Sequence, residues 1–151
     1  MFFSKKKIIV IFLISFLTLV FTFLKLENSD LKIVDGDTIY LDGKKIRFSG
    51  IDTPELKQTC FKDGIENSCG ITAKQILVDK IANNTVKCTE EGKDQYKRIL
   101  AECFVNNESL SKYLVKSGYA FAYRKYSKKF IKEEDYARIK KIGMWSMKFD
   151  Y

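Results

Sequence analysis

Seventeen consecutive residues without a charge, 8–24, stand near the start of this chain, directly behind Lys5, Lys6 and Lys7. That is the layout of an export signal or a membrane anchor, at the short end of what crosses a bilayer as a helix. No Ala-x-Ala follows the run, and Val20-Phe21-Thr22 is a weak cleavage signal. An uncleaved anchor is therefore favoured over a removed signal. Residues 1–27 are expected to form this N-terminal hydrophobic helix. Residues 28–151 are expected to form one domain on the extracytoplasmic side, membrane-anchored, or secreted if the segment is cut. A length of 151 residues leads us to expect one domain rather than two.

Residues 31–151 keep 23 of the 27 basic groups and 17 of the 19 acidic ones, a net +6. A basic surface favours polyanions, either nucleic acid or anionic lipid. Cys60, Cys69, Cys88 and Cys103 all lie on the expected outer side, where an even count points to two disulfides. The pairing Cys60–Cys69 and Cys88–Cys103 is favoured, because each pair flanks one polar, turn-like loop. Each bridge would be worth about 3 kcal/mol in the chain-entropy account. A four-cysteine zinc site is disfavoured by the lack of any Cys-x-x-Cys pair. Histidine is absent, which excludes Ser-His-Asp and Cys-His catalysis and histidine-ligated zinc chemistry. Acid–base work must fall to carboxylates, Lys, Tyr or Cys.

Along the domain, 31–34 and 38–41 read as strand, and Asp42-Gly43 is a hairpin turn signal. Ile46 and Phe48 then alternate with Lys45, Arg47 and Ser49, the period of a half-buried strand. Residues 56–69 are expected as a polar loop and 70–83 as a helix. Residues 85–89 and 99–105 read as strands joined by a charged loop. A helix opens at Asn107-Glu108-Ser109 and stops near Gly118, and a last one spans 127–142 with Ser127 as cap. Met144 and Trp145 should fold back on the core. Five strands with helices at one end predict an α+β domain, mainly β, as a small closed or partly open barrel.

The stretches Asp35-Gly36-Asp37-Thr38 and Arg47 through Glu55 carry four carboxylates and one arginine. A hairpin would bring Asp37 and Asp52 together, and a hard cation such as Ca²⁺ needs such oxygen ligands. An EF-hand loop is excluded, because numbering from Asp35 puts Ile39 and Ile46 at ligand positions.

Taken in order, Val34-Asp35-Gly36-Asp37-Thr38, Arg47, Ile51-Asp52-Thr53-Pro54-Glu55 and Asp94-Gln95-Tyr96-Lys97-Arg98 closely resemble the staphylococcal nuclease family. Gly118-Tyr119-Ala120, the Tyr123–Tyr126 segment and Gly143-Met144-Trp145-Ser146 extend the likeness over about 31–146. The resemblance implies a five-stranded barrel of oligonucleotide-binding type with three helices. It implies Ca²⁺ held by the carboxylates of Asp37 and Asp52 and the carbonyl of Thr53. Glu55 takes the position of the general base or water-positioning group, and Arg47 and Arg98 those of the phosphate-binding arginines. Asp35 would support the ligands without being one.

The implied activity is a Ca²⁺-dependent endonuclease on DNA and RNA, leaving 3′-phosphates and working as a monomer. Tyr96, Tyr123 and Tyr126, among Lys97, Arg124 and Lys125, are candidates for stacking bases of single-stranded or frayed substrate. Gln95 and the cysteine-bearing loop at 56–69 depart from the best-known member of the family. Two other readings stay open: a barrel that grips nucleic acid without cutting it, and a cation-stabilised protein of the membrane surface.

Overall fold

The computed structural model describes residues 14–16 and 30–149. Most of the expected N-terminal helix lies outside the described residues; 14–16 are helical and exposed. Among the described residues no helix is long and apolar enough to cross a membrane.

The domain opens with β1 (Leu31–Ile33), β2 (Thr38–Leu41) and β3 (Lys44–Phe48), an antiparallel meander. Asp42 and Gly43 both take positive φ, +51° and +75°, as the tight turn between β2 and β3 requires. Two short pairs follow. β4 (Ile51–Asp52) pairs with the later segment Phe121–Ala122, while β5 (Cys60–Lys62) and β6 (Ile65–Asn67) form a hairpin of their own. Helix α1 (Cys69–Ile81) leads to β7 (Lys87–Lys93), β8 (Ile99–Val105), β9 (Glu108–Ser109) and α2 (Leu110–Lys116). The chain ends through β10 (Phe121–Ala122), α3 (Ile131–Ile139) and a 3-10 turn, Gly143–Ser146.

The main sheet runs β1-β2-β3-β8-β7, with β9 on β8 and the β3–β8 pair parallel. Among the described residues no ladder joins β1 to β7, so the fold is a mixed α+β one whose sheet is not closed by hydrogen bonds. The expected alternation holds: Ile46 and Phe48 in β3, and Ala101, Cys103 and Val105 in β8, point into the core. They meet Leu77 and Ile81 of α1 and Leu110 and Leu114 of α2. A second apolar cluster joins Cys60, Cys69, Phe121 and Met144, with Trp145 packed on it.

Three sequence expectations are corrected. The 56–69 segment is not a plain loop, because Cys60–Cys69 closes a hairpin whose tip, Asp63-Gly64, has positive φ at both residues. The strand expected at 85–89 extends through Lys93: β7 is an exposed edge whose polar side chains hide its pairing with β8. Ser127 does not cap the last helix. Its hydroxyl accepts from the Lys129 amide and closes a turn, and the helix begins at Ile131. The Cys88–Cys103 bridge joins register partners on β7 and β8, so both disulfides follow the expected pairing.

Candidate active site

Asp37 sits just before β2, in a loop closed by backbone bonds from Val34 and Asp35 to the Thr38 carbonyl. The Asp35 carboxylate accepts from the Asp37 amide at 3.0 Å, an Asx turn that fixes the following residue. Gly36 allows the close approach, since a Cβ there would stand 2.9 Å from the Thr53 hydroxyl. The hairpin pairs Thr38 with Arg47 and so carries the guanidinium beside Asp37.

Asp37 is 2% exposed, and both its oxygens are used. One accepts from Thr38 Oγ1 at 2.9 Å and from Arg47 at 2.6 Å; the other accepts from the Thr53 amide at 3.2 Å. Burial lifts this carboxyl to about 6, although the charge of Arg47 pulls the other way. Arg47 also donates to Asp52 at 2.5 Å. Burial opposes the Arg47 charge, and Asp37 and Asp52 outweigh it, holding the guanidinium charged. Two carboxylates from separate segments thus converge on one group. Asp52 reaches it from β4, which is tied to β10 through Phe121.

Glu55 is exposed on the turn after β4. Its amide donates to the Gln58 side-chain oxygen at 3.0 Å, its carbonyl accepts from the Gln58 amide, and the Gly70 amide holds the Gln58 carbonyl. Gly70 belongs to the first turn of α1, where a Cβ would lie 1.8 Å from the Glu55 carbonyl oxygen. The Cys60–Cys69 bridge fastens the same segment to that helix.

Arg98 directly precedes β8, whose Leu100 stands opposite Arg47. Its Nε donates to Asp94 at 2.6 Å, and Asp94 also accepts from the amides of Tyr96 and Arg98. Burial pushes the Asp94 carboxyl up, but the bonds and charge of Arg98 outweigh it and hold it below the usual range. Asp94 is the one acid that pairs with Arg98 among the described residues, and the guanidinium lies 5.6 Å from the Tyr96 ring.

Tyr96 and Tyr126 are both 71% exposed; Tyr123 is partly so, with its ring 4.9 Å from that of Tyr126. The structure therefore gathers Asp37, Arg47, Asp52 and Thr53 into one contact network. Glu55 and Arg98 stand on separately braced turns, and the tyrosines line the surface.

Sequence reasoning did not single out Gln58, Gly70 or Glu134. Glu134, on α3, is 2% exposed and accepts from the Ala122 amide at 2.9 Å and from Arg124. It thereby holds β10, the partner of the Asp52 strand. A buried-face carboxylate inside a helix otherwise rich in surface charge gives no signal until its neighbours are known.

Two carboxylates and the backbone oxygen of Thr53, whose amide donates to Asp37, are hard donors, and burial raises the Asp37 carboxyl even with Arg47 beside it. That donor set fits a hard divalent cation. Among the described residues no group of three or more His, Cys, Asp or Glu side chains is gathered to hold a metal, so such a cation would rely on the two aspartates and backbone oxygen.

Fold and site together define a class: a small α+β domain in which segments at β3, β4 and the start of β8 carry paired acids and two guanidiniums. Comparison with known proteins gives the family. Residues 45–147 match the family described as "Staphylococcal nuclease homologue", and the chain belongs to it. Arg47, Asp52, Thr53, Glu55 and Arg98 lie inside the matched stretch, and Asp37 precedes it.

Over 104 residues, 68% of this chain, it is 31% identical to an uncharacterized endonuclease of Haemophilus influenzae. It is 30% identical to a probable staphylococcal-like nuclease of Oryza sativa subsp. japonica and 29% identical to a staphylococcal-like nuclease of Arabidopsis thaliana. The match spans 53% of the Haemophilus protein's length, and 26% and 29% of the plant proteins.

Proposed function

We propose that this domain is a Ca²⁺-dependent endonuclease that hydrolyses phosphodiester bonds of DNA and RNA, with single-stranded or frayed substrate preferred. The observation that carries the reading is the convergence of Asp37 and Asp52 on Arg47, next to the Thr53 backbone. The carboxylates of Asp37 and Asp52 and the carbonyl of Thr53 would hold Ca²⁺, which when bound supplies Lewis acidity and offsets phosphate charge. The sheet would correspond to the oligonucleotide-binding barrel of the family.

Glu55 accepts a proton from the attacking water, the role a carboxylate fills when no histidine exists. Arg47 and Arg98 offer fork-shaped donors to phosphate oxygens as negative charge builds on them. Water adds across the bond between phosphorus and the 5′ oxygen, which leaves a 3′-phosphate. Asp94 keeps Arg98 aimed, and Tyr96, Tyr123 and Tyr126 stack bases.

Two disulfides suit an oxidising compartment. We accordingly place the domain outside the cytoplasm, as a monomer anchored or exported by residues 8–24; mass spectrometry of the mature N-terminus tests this.

Single substitutions test the site. Removing one preorganised donor typically costs about 10²–10³ in rate. Arg47→Ala and Glu55→Gln should each lose at least that much cleavage of single-stranded DNA, with the melting transition still cooperative. Wild-type rates in both variants would remove Arg47 and Glu55 from the chemistry.

A further inference from the structure

The disulfide-closed hairpin at β5–β6 lies within the family match but belongs to the 56–69 segment that departs from the best-known member, and it is tied down on both sides. Phe61 and Lys148 exchange two backbone bonds of 2.8 Å, which lock the hairpin to the last described segment of the chain. The Cys60 sulfur lies 3.1 Å from the Met147 sulfur behind it. Between hairpin and 3-10 turn runs a groove of about 650 Å³, lined among others by Phe61, Trp145, Lys141 and Lys148. Phe61 is 45% exposed although its backbone is fixed on both sides. Lys141 and Lys148 are exposed and make no ion pair among the described residues; Asp63, at the hairpin tip, is the acid on the rim.

We infer that this groove is a second contact for single-stranded nucleic acid, taking a base against Phe61 and Trp145 and its phosphates on Lys141 and Lys148. Aromatic walls with unpaired cations are what a strand of any sequence needs, since every base has a π-face and every link a charge. The site is concave, of a size that holds a base-sized ligand. A membrane-dipping hairpin would present a convex apolar tip instead.

The groove is also close to the chemistry. Asp52 is the register partner of Phe121, and the Phe121 ring meets Trp145 edge-on with centroids 5.5 Å apart. The β4–β10 pair and the Phe121 ring therefore link the strand of Asp52 to the Trp145 wall of the groove. The inference rests on the nuclease reading for its choice of ligand, but not for its measurement.

Trp145 is the only tryptophan of the chain, so its fluorescence reports the groove directly. The full domain, kept in chelator so that nothing is cut, is titrated with a ten-nucleotide oligothymidylate, and the emission is followed. Saturable quenching is expected. Phe61→Ala should weaken the affinity by at least about fivefold, the low end for one stacked base. Lys141→Gln with Lys148→Gln should lower the salt dependence of log K by about 1.4, at about 0.7 per phosphate contact on a single strand. Melting curves confirm that each variant folds, and the lysine pair serves if Phe61→Ala does not.

Unchanged emission, or variants that bind as the wild type does, overturns the groove. Quenching by anionic phospholipid vesicles but not by the oligonucleotide also overturns it and makes the face a membrane contact. If the oligonucleotide quenches as expected while the Ca²⁺-loaded protein cuts nothing, the groove stands and the nuclease reading falls.

Discussion

Gly70→Ala tests how tightly the turn bearing Glu55 is held. A Cβ at position 70 would lie 1.8 Å from the Glu55 carbonyl oxygen and 2.9 Å from the Leu56 Cα. Real Cβ contacts stay above about 3.0 Å. The Glu55–Leu56 backbone must therefore retreat by about 1.2 Å, or α1 must shift away from it. Neither is easy. The Gly70 amide holds the Gln58 carbonyl, Gln58 holds both ends of the Glu55 peptide, and Cys69 is bridged to Cys60. A displacement of about 1 Å at a catalytic group can cost roughly 10²-fold in rate.

Alanine's better helix propensity offsets part of the strain, by up to about 1 kcal/mol. Activity should accordingly fall much further than stability. The assay is the steady-state cleavage rate of single-stranded DNA with Ca²⁺, beside a thermal melt and a thiol count that confirms intact bridges. A variant that cleaves at the wild-type rate would refute the claim that Gly70 fixes the Glu55 turn.

Glu134→Ala strands the buried Ala122 amide and leaves Arg124 with Asp135 alone, and should cost about 2–3 kcal/mol in chemical denaturation; Glu134→Gln keeps the acceptor and should cost less. Asp94→Asn loosens the grip on Arg98 and should lower kcat about tenfold with little change in melting temperature. In chelator, the raised Asp37 carboxyl makes the fold favour the protonated acid. Its contribution to stability is whole below the usual carboxylate range and is lost as pH rises from about 4 through 6. Melts across that range should show a downward slope that Asp37→Asn flattens.

The meander and the first half of the site were legible because local rules wrote them. Asp42-Gly43 sets the hairpin, and the alternation of Ile46 and Phe48 fixes which face is inside, so Arg47 follows onto the face of Asp37. Ser109 was legible for the same reason, its hydroxyl accepting from the Lys112 amide at 3.2 Å. What local rules did not write was hidden. β4 and β10 are two residues long, and only their mutual pairing and Glu134 make them strands. The second half of β7, residues 90–93, reads as loop because an exposed edge needs no apolar face. Gln58 and Gly70 are ordinary residues in sequence, and their task of fixing Glu55 exists only once the helix start lies against the turn.

The central claim is that Asp37, Asp52 and the Thr53 carbonyl bind one divalent ion beside Glu55 and two arginines, and that this assembly cuts nucleic acid. Incubating the purified domain with single-stranded DNA, with Ca²⁺ or with chelator, tests it most directly. Fragments bearing 3′-phosphates should form with Ca²⁺ and stop when it is removed. Intact DNA in both tubes, or equal cutting in both, would contradict it.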